Sequence, residues 1–151
     1  MMKKYVAILT LFSLIWFAFA GTEGKKVAVI KMKRGTAYVI RADGSKIPAI
    51  KGEWVHQGSV IKTAERSFVR LSFIDKSTVN VGPKSEMKIE KFSDSDAGVL
   101  NVISGKIRSK VTKDYLKMDK NKSKMYVKSK SAVMGVRGTD FVYSYNPKTD
   151  A

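Results

Sequence analysis

The sequence predicts an all-β domain, and three observations lead to this prediction. Apolar and polar residues alternate along short runs, for example in residues 69–73 and 78–81, and a period of two is typical of strands with one buried face. Residues with high turn propensity separate the runs, at 42–45, 75–77, 81–85 and 104–105. No long amphipathic helical pattern lies between them, so short strands joined by turns are expected throughout.

Taken in order, the runs place eleven strands, at residues 26–33, 35–41, 46–50, 59–63, 67–74, 77–82, 86–91, 98–103, 105–112, 124–129 and 138–145. Residues 113–123 are the exception, because their polarity favours a loop over a helical turn. Residues 53–56 are expected to form a surface turn that packs the ring of Trp54 onto the sheet. The expected architecture is a single domain whose short strands stack as a sandwich or in a solenoid-like arrangement.

The N-terminus has the three parts of a secretory signal peptide. The first four residues carry two lysines, residues 5–17 are uncharged and mostly apolar, and residues 18–20 give the small-x-small pattern of a cleavage site. Cleavage after Ala20 predicts a bacterial protein that is periplasmic or secreted. An uncleaved membrane anchor is the alternative, but the apolar run is shorter than the ~20 residues that span a bilayer. No stable membrane span is therefore expected after cleavage.

Removal of the signal peptide leaves 131 of the 151 residues, enough for one domain with its own core. We expect a lead-in and first strand at 21–32, the β domain at 33–145 and a C-terminal tail at 146–151. The chain contains no cysteine, which excludes disulfides, thiolate metal sites and a thiol nucleophile. A single histidine, His56, gives too few ligands for a zinc site. We therefore expect no catalytic, metal or cofactor site, and the chain is not expected to be an enzyme.

The chain is strongly basic. Its net charge is +16, and the two lysines of the signal peptide leave on cleavage, so the mature protein carries +14. Such a charge attracts polyanions over a long range. Outside the cytoplasm these are envelope polymers, anionic lipid head groups or acidic proteins, whereas nucleic acid is not an expected partner. The alternative interpretation is that the lysines simply solvate an ordinary surface.

Three segments, in this order, resemble the FecR domain, a β-rich periplasmic domain. Residues 58–85 match its strand–turn–strand pattern and end in a Gly-Pro-x-Ser corner, residues 100–108 match a Leu…Gly-x-Ile-Arg segment, and residues 126–141 carry the Gly-Val-Arg-Gly-Thr-x-Phe signature. The resemblance covers about residues 33–143. Two turns depart from the family pattern. Lys76 stands where the family commonly has glycine, which reaches a positive φ without strain, and Ser129-Lys130 replaces a common Thr-Pro.

The resemblance implies a role in the envelope. In its best-known setting the FecR domain follows a transmembrane helix in a sigma-factor regulator and relays the state of an outer-membrane receptor. Only residues 1–4 precede the hydrophobic stretch here, so we expect a standalone exported FecR domain without the anti-sigma segment. Its expected function is that of a non-enzymatic periplasmic binding or signalling module that docks another envelope protein. The alternative is a cationic structural protein, or one that binds an anionic envelope polymer.

The first candidate site is the FecR signature, which we call the signature segment: Gly135, Val136, Arg137, Gly138, Thr139, Asp140 and Phe141. In a functional interpretation, Arg137 anchors a carboxylate or phosphate of a ligand or partner. In a structural interpretation, which the use of the motif across different roles favours, the two glycines form a tight corner between strands. Arg137 then bonds carbonyl groups or pairs with Asp140, while Val136 and Phe141 fill the core.

The second candidate site is a basic patch. Lys106, Arg108 and Lys110 share one face of a predicted strand, and Lys128 and Lys130 share one face of another. If these strands pair, the five cations form one patch that suits an anionic polymer or partner. The alternatives are an ordinary solvated face, or a charged edge that prevents aggregation between strands.

Overall fold

A computed structural model describes residues 24–113 and 117–150 of the chain, so the predicted signal peptide lies outside the described residues. Within the described residues the chain forms twelve strands: β1 (Lys26–Arg34), β2 (Ala37–Ile40), β3 (Lys46–Pro48), β4 (Trp54–His56), β5 (Val60–Thr63), β6 (Phe68–Phe73), β7 (Thr78–Val81), β8 (Glu86–Lys91), β9 (Gly98–Lys110), β10 (Met125–Lys128), β11 (Val133–Val136) and β12 (Asp140–Tyr145). No described segment is a helix of the length and apolarity needed to cross a membrane. The predicted all-β class is confirmed.

The strands form one sheet that curls on itself because β9 belongs to both of its parts. The part that we call sheet A has the order β4-β1-β6-β7-β9-β12, and the part that we call sheet B has the order β3-β2-β5-β8-β9-β10-β11. All these pairs are antiparallel except β9 with β10. The second half of β9 pairs with β7 and β12, whereas its first half pairs with β8 and β10.

The inward side chains of both parts form one hydrophobic core. Along β6 the alternation read from the sequence holds, with Val69, Leu71 and Phe73 buried and Arg70 exposed. Leu100 and Val127 contribute from sheet B to the same buried cluster. Each fully buried aliphatic side chain of this kind stabilises the fold by about 1.5–3 kcal/mol relative to its exposed state.

At Gly105 the side chains of β9 that point into the core change from the even-numbered to the odd-numbered residues. Leu100 and Val102 are buried in its first half, so even-numbered residues point inward there, but Ile107 and Ser109 are buried in its second half. The change falls at Gly105, whose φ of 88° lies in a region that side chains disfavour. The predicted turn at Ser104 and Gly105 is therefore wrong: the glycine bends a continuous strand from sheet B into sheet A.

The Gly-Pro-x-Ser corner holds this bend. A Cβ atom on Gly105 would lie 2.6 Å from the Cα atom of Ser85, so the backbones approach too closely for any side chain. The Ser85 hydroxyl accepts the backbone N–H of Lys106 at 2.9 Å and donates to the carbonyl of Pro83 at 2.9 Å. The backbone N–H of Ser85 in turn donates to Thr63 Oγ1 at 3.0 Å. Side chains thus satisfy backbone groups that a regular ladder would otherwise pair.

Two short strands were not predicted. Trp54–His56 forms strand β4 beside β1, with Val55 fully buried, and the expected surface turn at 53–56 is wrong. Val133–Val136 forms β11, so Gly135 lies within a strand and only Gly138, with a φ of 143°, lies at the corner. The predicted loop at 113–123 carries no strand or helix in its described residues. The expected domain boundary after residue 32 falls inside β1.

The hairpin between β6 and β7 carries the residue that departs from the family pattern. The backbone N–H of Lys76 donates to the carbonyl of Phe73 at 2.9 Å, and the N–H of Phe73 donates to the carbonyl of Ser77 at 2.8 Å. This is a three-residue loop that closes with a left-handed residue. Lys76 takes that position with a φ of 65°, a conformation that costs a non-glycine residue about 1–2 kcal/mol.

A buried ion pair joins this hairpin to the start of β10. Lys124 Nζ lies 2.9 Å from Asp75 Oδ2, and both side chains are at most 3% exposed. The Lys124 ammonium also donates to the carbonyl of Thr112 at 2.8 Å and to its Oγ1 at 2.7 Å. Ser77 donates its N–H and its hydroxyl to the two carboxylate oxygens of Asp75, at 2.9 and 2.8 Å. The partners on both sides offset the desolvation of the two charges.

Replacement of Gly105 tests the bend. We expect Gly105→Ala to lower the free energy of unfolding by about 3 kcal/mol or more, because the positive φ and the close approach of Ser85 both penalise a Cβ atom. Gly44→Ala is the matched control: Gly44 has a φ of 85° but nothing within 4 Å of its Cβ position, so only the φ cost of about 1 kcal/mol applies. Urea unfolding of the two variants measures the difference, and equal losses would contradict the contact with Ser85.

Replacement of Lys124 tests the ion pair. We expect Lys124→Met to lower the free energy of unfolding by about 3–5 kcal/mol, because the carboxylate of Asp75 stays buried without its cation. The control is Lys128→Met, at the other end of β10. Lys128 pairs with Glu90 at 2.6 Å, but its side chain is 34% exposed, so we expect a loss below about 1 kcal/mol. Thermal or urea unfolding checks both values, and a mild effect of Lys124→Met would show that the pair contributes little.

Candidate binding face on sheet A

The outward face of sheet A presents continuous rows of cross-strand neighbours. One row runs across five strands through Met32, Arg70, Asn80, Arg108 and Val142, each paired with the next in the strand register. Met32 is 44% exposed and Val142 58% exposed. Cross-strand neighbours have Cβ atoms about 4.5–5.5 Å apart, so the side chains of such a row act on a ligand together.

A parallel row adds an aromatic ring and a third cation. It starts at the exposed Trp54 of β4, crosses four strands and ends at β12, and its members are Trp54, Val29, Ser72, Thr78, Lys110 and Asp140. Lys106 lies next to Ser144 at the other side of the first row. The two rows and Lys106 make up the surface that we call the A face.

A depression of about 270 Å³ lies at the centre of the A face, lined by Arg70, Thr78, Asn80, Arg108, Lys110 and Asp140. Neighbouring acceptors fix both guanidinium groups. Arg70 Nε donates to Asn80 Oδ1 at 2.7 Å. Arg108 donates through Nε to Asp140 Oδ1 at 3.0 Å and through Nη2 to Asp140 Oδ2 at 2.9 Å. The depression therefore contains oriented hydrogen-bond donors.

Electrostatics at the depression follow from the same contacts. The hydrogen bond from Arg108 lowers the pKa of Asp140 from its usual 3.8, against a smaller opposing effect of desolvation, and the charges of Arg108 and Lys110 lower it further. The same hydrogen bond raises the pKa of Arg108 above its usual value. Asp140 is therefore ionised wherever the protein is folded near neutral pH, and the site keeps one negative charge beside three positive ones.

The two outward faces differ in how their charges are arranged. On the A face, Arg108 is ion-paired, while Arg70, Lys106 and Lys110 form no ion pair with any acid in the described part of the chain. On sheet B, positive and negative side chains alternate, as in the pairs Lys62–Glu86 at 3.1 Å and Lys128–Glu90 at 2.6 Å. The A face therefore has uncompensated positive charge that is available to a partner.

The five cations of the predicted basic patch are divided between two surfaces. Lys128 is the register partner of Asn101 in the first half of β9, so it lies on sheet B, and Lys130 follows β10 in an exposed loop. Lys106 is five residues further along β9 than Asn101, which corresponds to about 17 Å. Lys106, Arg108 and Lys110 do share the A face, and there they are joined by Arg70. Sequence reasoning missed Arg70 as a site residue, although its polar position in the run 69–73 was evident.

The signature segment spans the end of β11, a corner and the start of β12. Val136 is buried and Phe141 packs half-buried against the core. Arg137 Nη2 donates to the carbonyl of Asn121 at 2.6 Å, and the carboxylate of Asp140 binds Arg108. A second depression, of about 390 Å³, is lined by Ser123, Met134 and most of the signature segment. The contacts of the segment are largely those of a structural corner.

The pairing of Arg108 with Asp140 predicts a measurable change in titration. We expect Arg108→Gln to move the pKa of Asp140 up towards 3.8, because the hydrogen bond and the positive charge that lower it are removed. Because the pKa of Asp140 is lower in the folded chain than in the unfolded chain, the pairing stabilises the folded state at every pH above the pKa of the unfolded chain. This stabilisation is lost as the pH falls through the pKa of the folded chain. Carbon-detected NMR titration of the carboxyl groups gives the pKa directly, with Asp43 as an internal control. An unchanged Asp140 pKa would contradict the observed pairing.

Comparison with known proteins gives one family and one distant structural likeness. No curated protein matches the sequence. A solved structure described as a "Cell surface anchoring domain" aligns with a TM-score of 0.41 and 22% identity, over 42% of this chain and 83% of that chain. The family model described as "FecR protein" matches residues 59–151, more than half of the chain, including the Gly-Pro-x-Ser corner, β9 and the signature segment. The chain therefore belongs to the FecR family.

Proposed function

We propose that this chain is an exported, non-enzymatic FecR-type module that docks an acidic protein of the bacterial envelope through the A face. The observation that supports this function best is the set of unpaired cations arranged in rows across sheet A. Family membership and the predicted N-terminal export signal support a location in the envelope, periplasmic or secreted. The single histidine and the absence of cysteine in the sequence support a binding rather than a catalytic role.

The residue types on the A face favour a protein partner. Tryptophan, methionine and arginine are enriched in protein interfaces, and tryptophan and arginine dominate their energetic centres. Trp54 and Met32, both 44% exposed, lie towards one end of the rows, and Met32 is the register partner of Arg70. Such exposed apolar side chains bury surface when a partner binds, while the neighbouring cations steer an acidic partner towards the face and increase its association rate.

The rigidity of the face also supports docking. Its side chains stand on consecutive strands of a sheet, which hold them more firmly than a loop would. The outward residues of β6, β7 and β9 alternate with fully buried ones such as Leu71, Val79 and Ile107. A partner therefore meets a surface whose shape is set by the core, and little conformational entropy is lost on binding.

An anionic envelope polymer is the second candidate partner. Lys106, Arg108 and Lys110 follow each other along β9 on one face, at a spacing of about 6.6 Å between successive cations. A regular row of this kind also suits the repeated negative charges of a polymer. Binding of this type depends almost wholly on charge and is weakened strongly by salt.

Crosslinking from the two faces tests the proposal. A photoreactive amino acid replaces Thr78 at the centre of the A face or Lys88 on the outward face of sheet B, in protein produced in the source bacterium. We expect a protein adduct from position 78 and none from position 88. The double charge reversal Arg70→Glu/Lys110→Glu should reduce the adduct at least tenfold, because the partner's acidic surface is then repelled.

The matched control reverses two charges on sheet B, with Lys46→Glu/Lys88→Glu, and leaves the adduct at position 78 unchanged. Both double variants change the net charge equally, so a loss that occurs in both would point to non-specific attraction and contradict docking at the A face. An adduct to a polymer instead of a protein would favour the second candidate. Adduct formation from position 88 alone would place the interface on sheet B and refute the proposal.

A further inference from the structure

The central depression of the A face has the features of a subsite for carboxylate side chains. We infer that it receives two acidic side chains of the partner, one on the guanidinium group of Arg70 and one on that of Arg108. This inference rests on the proposed function and adds to it the chemistry that the partner must present. It makes Arg70 and Arg108 specificity-determining residues, and Asn80 and Asp140 positioning residues.

The first argument for this subsite is the geometry of the two guanidinium groups. A guanidinium group has five N–H donors in a rigid planar fork. Asn80 takes the Nε donor of Arg70 at 2.7 Å, and Asp140 takes the Nε donor and one Nη2 donor of Arg108. These contacts fix the plane of each group and leave terminal N–H donors for a ligand. Fixed donors lose little entropy on binding, so a planar acceptor is favoured over a mobile counterion.

The second argument for two acidic side chains is the net charge of the depression. Arg70, Arg108 and Lys110 contribute three positive charges and Asp140 contributes one negative charge, which leaves a net charge of +2 at the site. Lys110 is close enough to lower the pKa of Asp140 by its charge, so it belongs to the same electrostatic unit. Two carboxylates neutralise this charge, whereas a single carboxylate leaves one cation uncompensated.

The third argument is the distance between the two arginines. Arg70 lies on β6 and Arg108 on β9, with Asn80 of β7 between them in the same row, so their backbones are about 10 Å apart. Two separate side chains bridge this distance more readily than one compact anion. A carboxylate is also an acceptor that suits these guanidinium groups, because the carboxylate of Asp140 already accepts two parallel hydrogen bonds from Arg108.

A substitution that preserves charge tests the inference. In Arg70→Lys/Arg108→Lys the net charge is unchanged but the planar forks are lost. We expect this variant to bind a hexaglutamate peptide about tenfold more weakly than the parent protein at low ionic strength, because an ammonium group does not form the bidentate contact. Titration calorimetry measures the affinity, and amide NMR shifts at Thr78 and Asn80 locate the peptide. The control, Arg41→Lys/Arg66→Lys, changes two arginines outside the A face and keeps the parental affinity.

Equal affinity of the two double variants would overturn the inference, because charge alone would then explain binding. Failure of hexaglutamate to shift Thr78 and Asn80 in the parent protein would overturn it as well. A competition arm uses inorganic phosphate and glutarate: displacement of the peptide by phosphate at a lower concentration than by glutarate would assign the site to phosphoryl groups. None of these results alters the crosslink from position 78, so the proposed docking face can survive when the carboxylate subsite does not.

Discussion

The bend of β9 at Gly105 is the constraint on which the rest of the structure depends. One strand of thirteen residues serves both parts of the sheet, and it does so because a residue without a side chain fits against Ser85. The bend also sets the orientation of the charged residues. If the parity of Leu100 and Val102 continued, Lys106, Arg108 and Lys110 would point into the core, at a prohibitive desolvation cost. The A face exists because the parity changes.

Polar residues at the bend, at the hairpin of β6 and β7 and at the corner before β12 mainly support the scaffold. Ser85 and Thr63 hold the bend, the network of Asp75, Ser77, Thr112 and Lys124 holds the far end of β9, and the signature segment forms the corner into β12. The A face, by contrast, consists of the outward residues of sheet A. Several of them nevertheless lie in segments that match the family pattern: Arg70 and Asn80 lie within residues 58–85, Arg108 ends the segment 100–108, and Asp140 of the signature segment orients Arg108. Family membership thus accounts for the architecture and does not by itself identify a partner.

The sequence predicted what depends on local pattern and failed where distant strands meet. The alternation around Leu71 and around Arg108 gave the correct strands and the correct faces, because it follows from the two-residue period alone. Gly105 was misread since a glycine in a turn and a glycine at a bend leave the same local pattern, and Trp54 lies in a strand too short to show a period. The structure divides the five predicted cations between two faces because Lys128 pairs in parallel with Asn101. Arg70 was missed because only the sheet order places β6 near β9. Register and sheet order are not encoded in any single run.

The buried pair of Asp75 and Lys124 has a consequence for the timing of folding. Because a chain is synthesised N-terminus first, Asp75 appears well before Lys124, and the hairpin around Ser77 then lacks the cation that neutralises the Asp75 carboxylate. The domain cannot complete its core until the start of β10 has emerged, because β9 and β10 also pair only at that stage. Contacts between distant parts of a chain slow folding. The chain therefore has no complete core until nearly all of the domain has been synthesised.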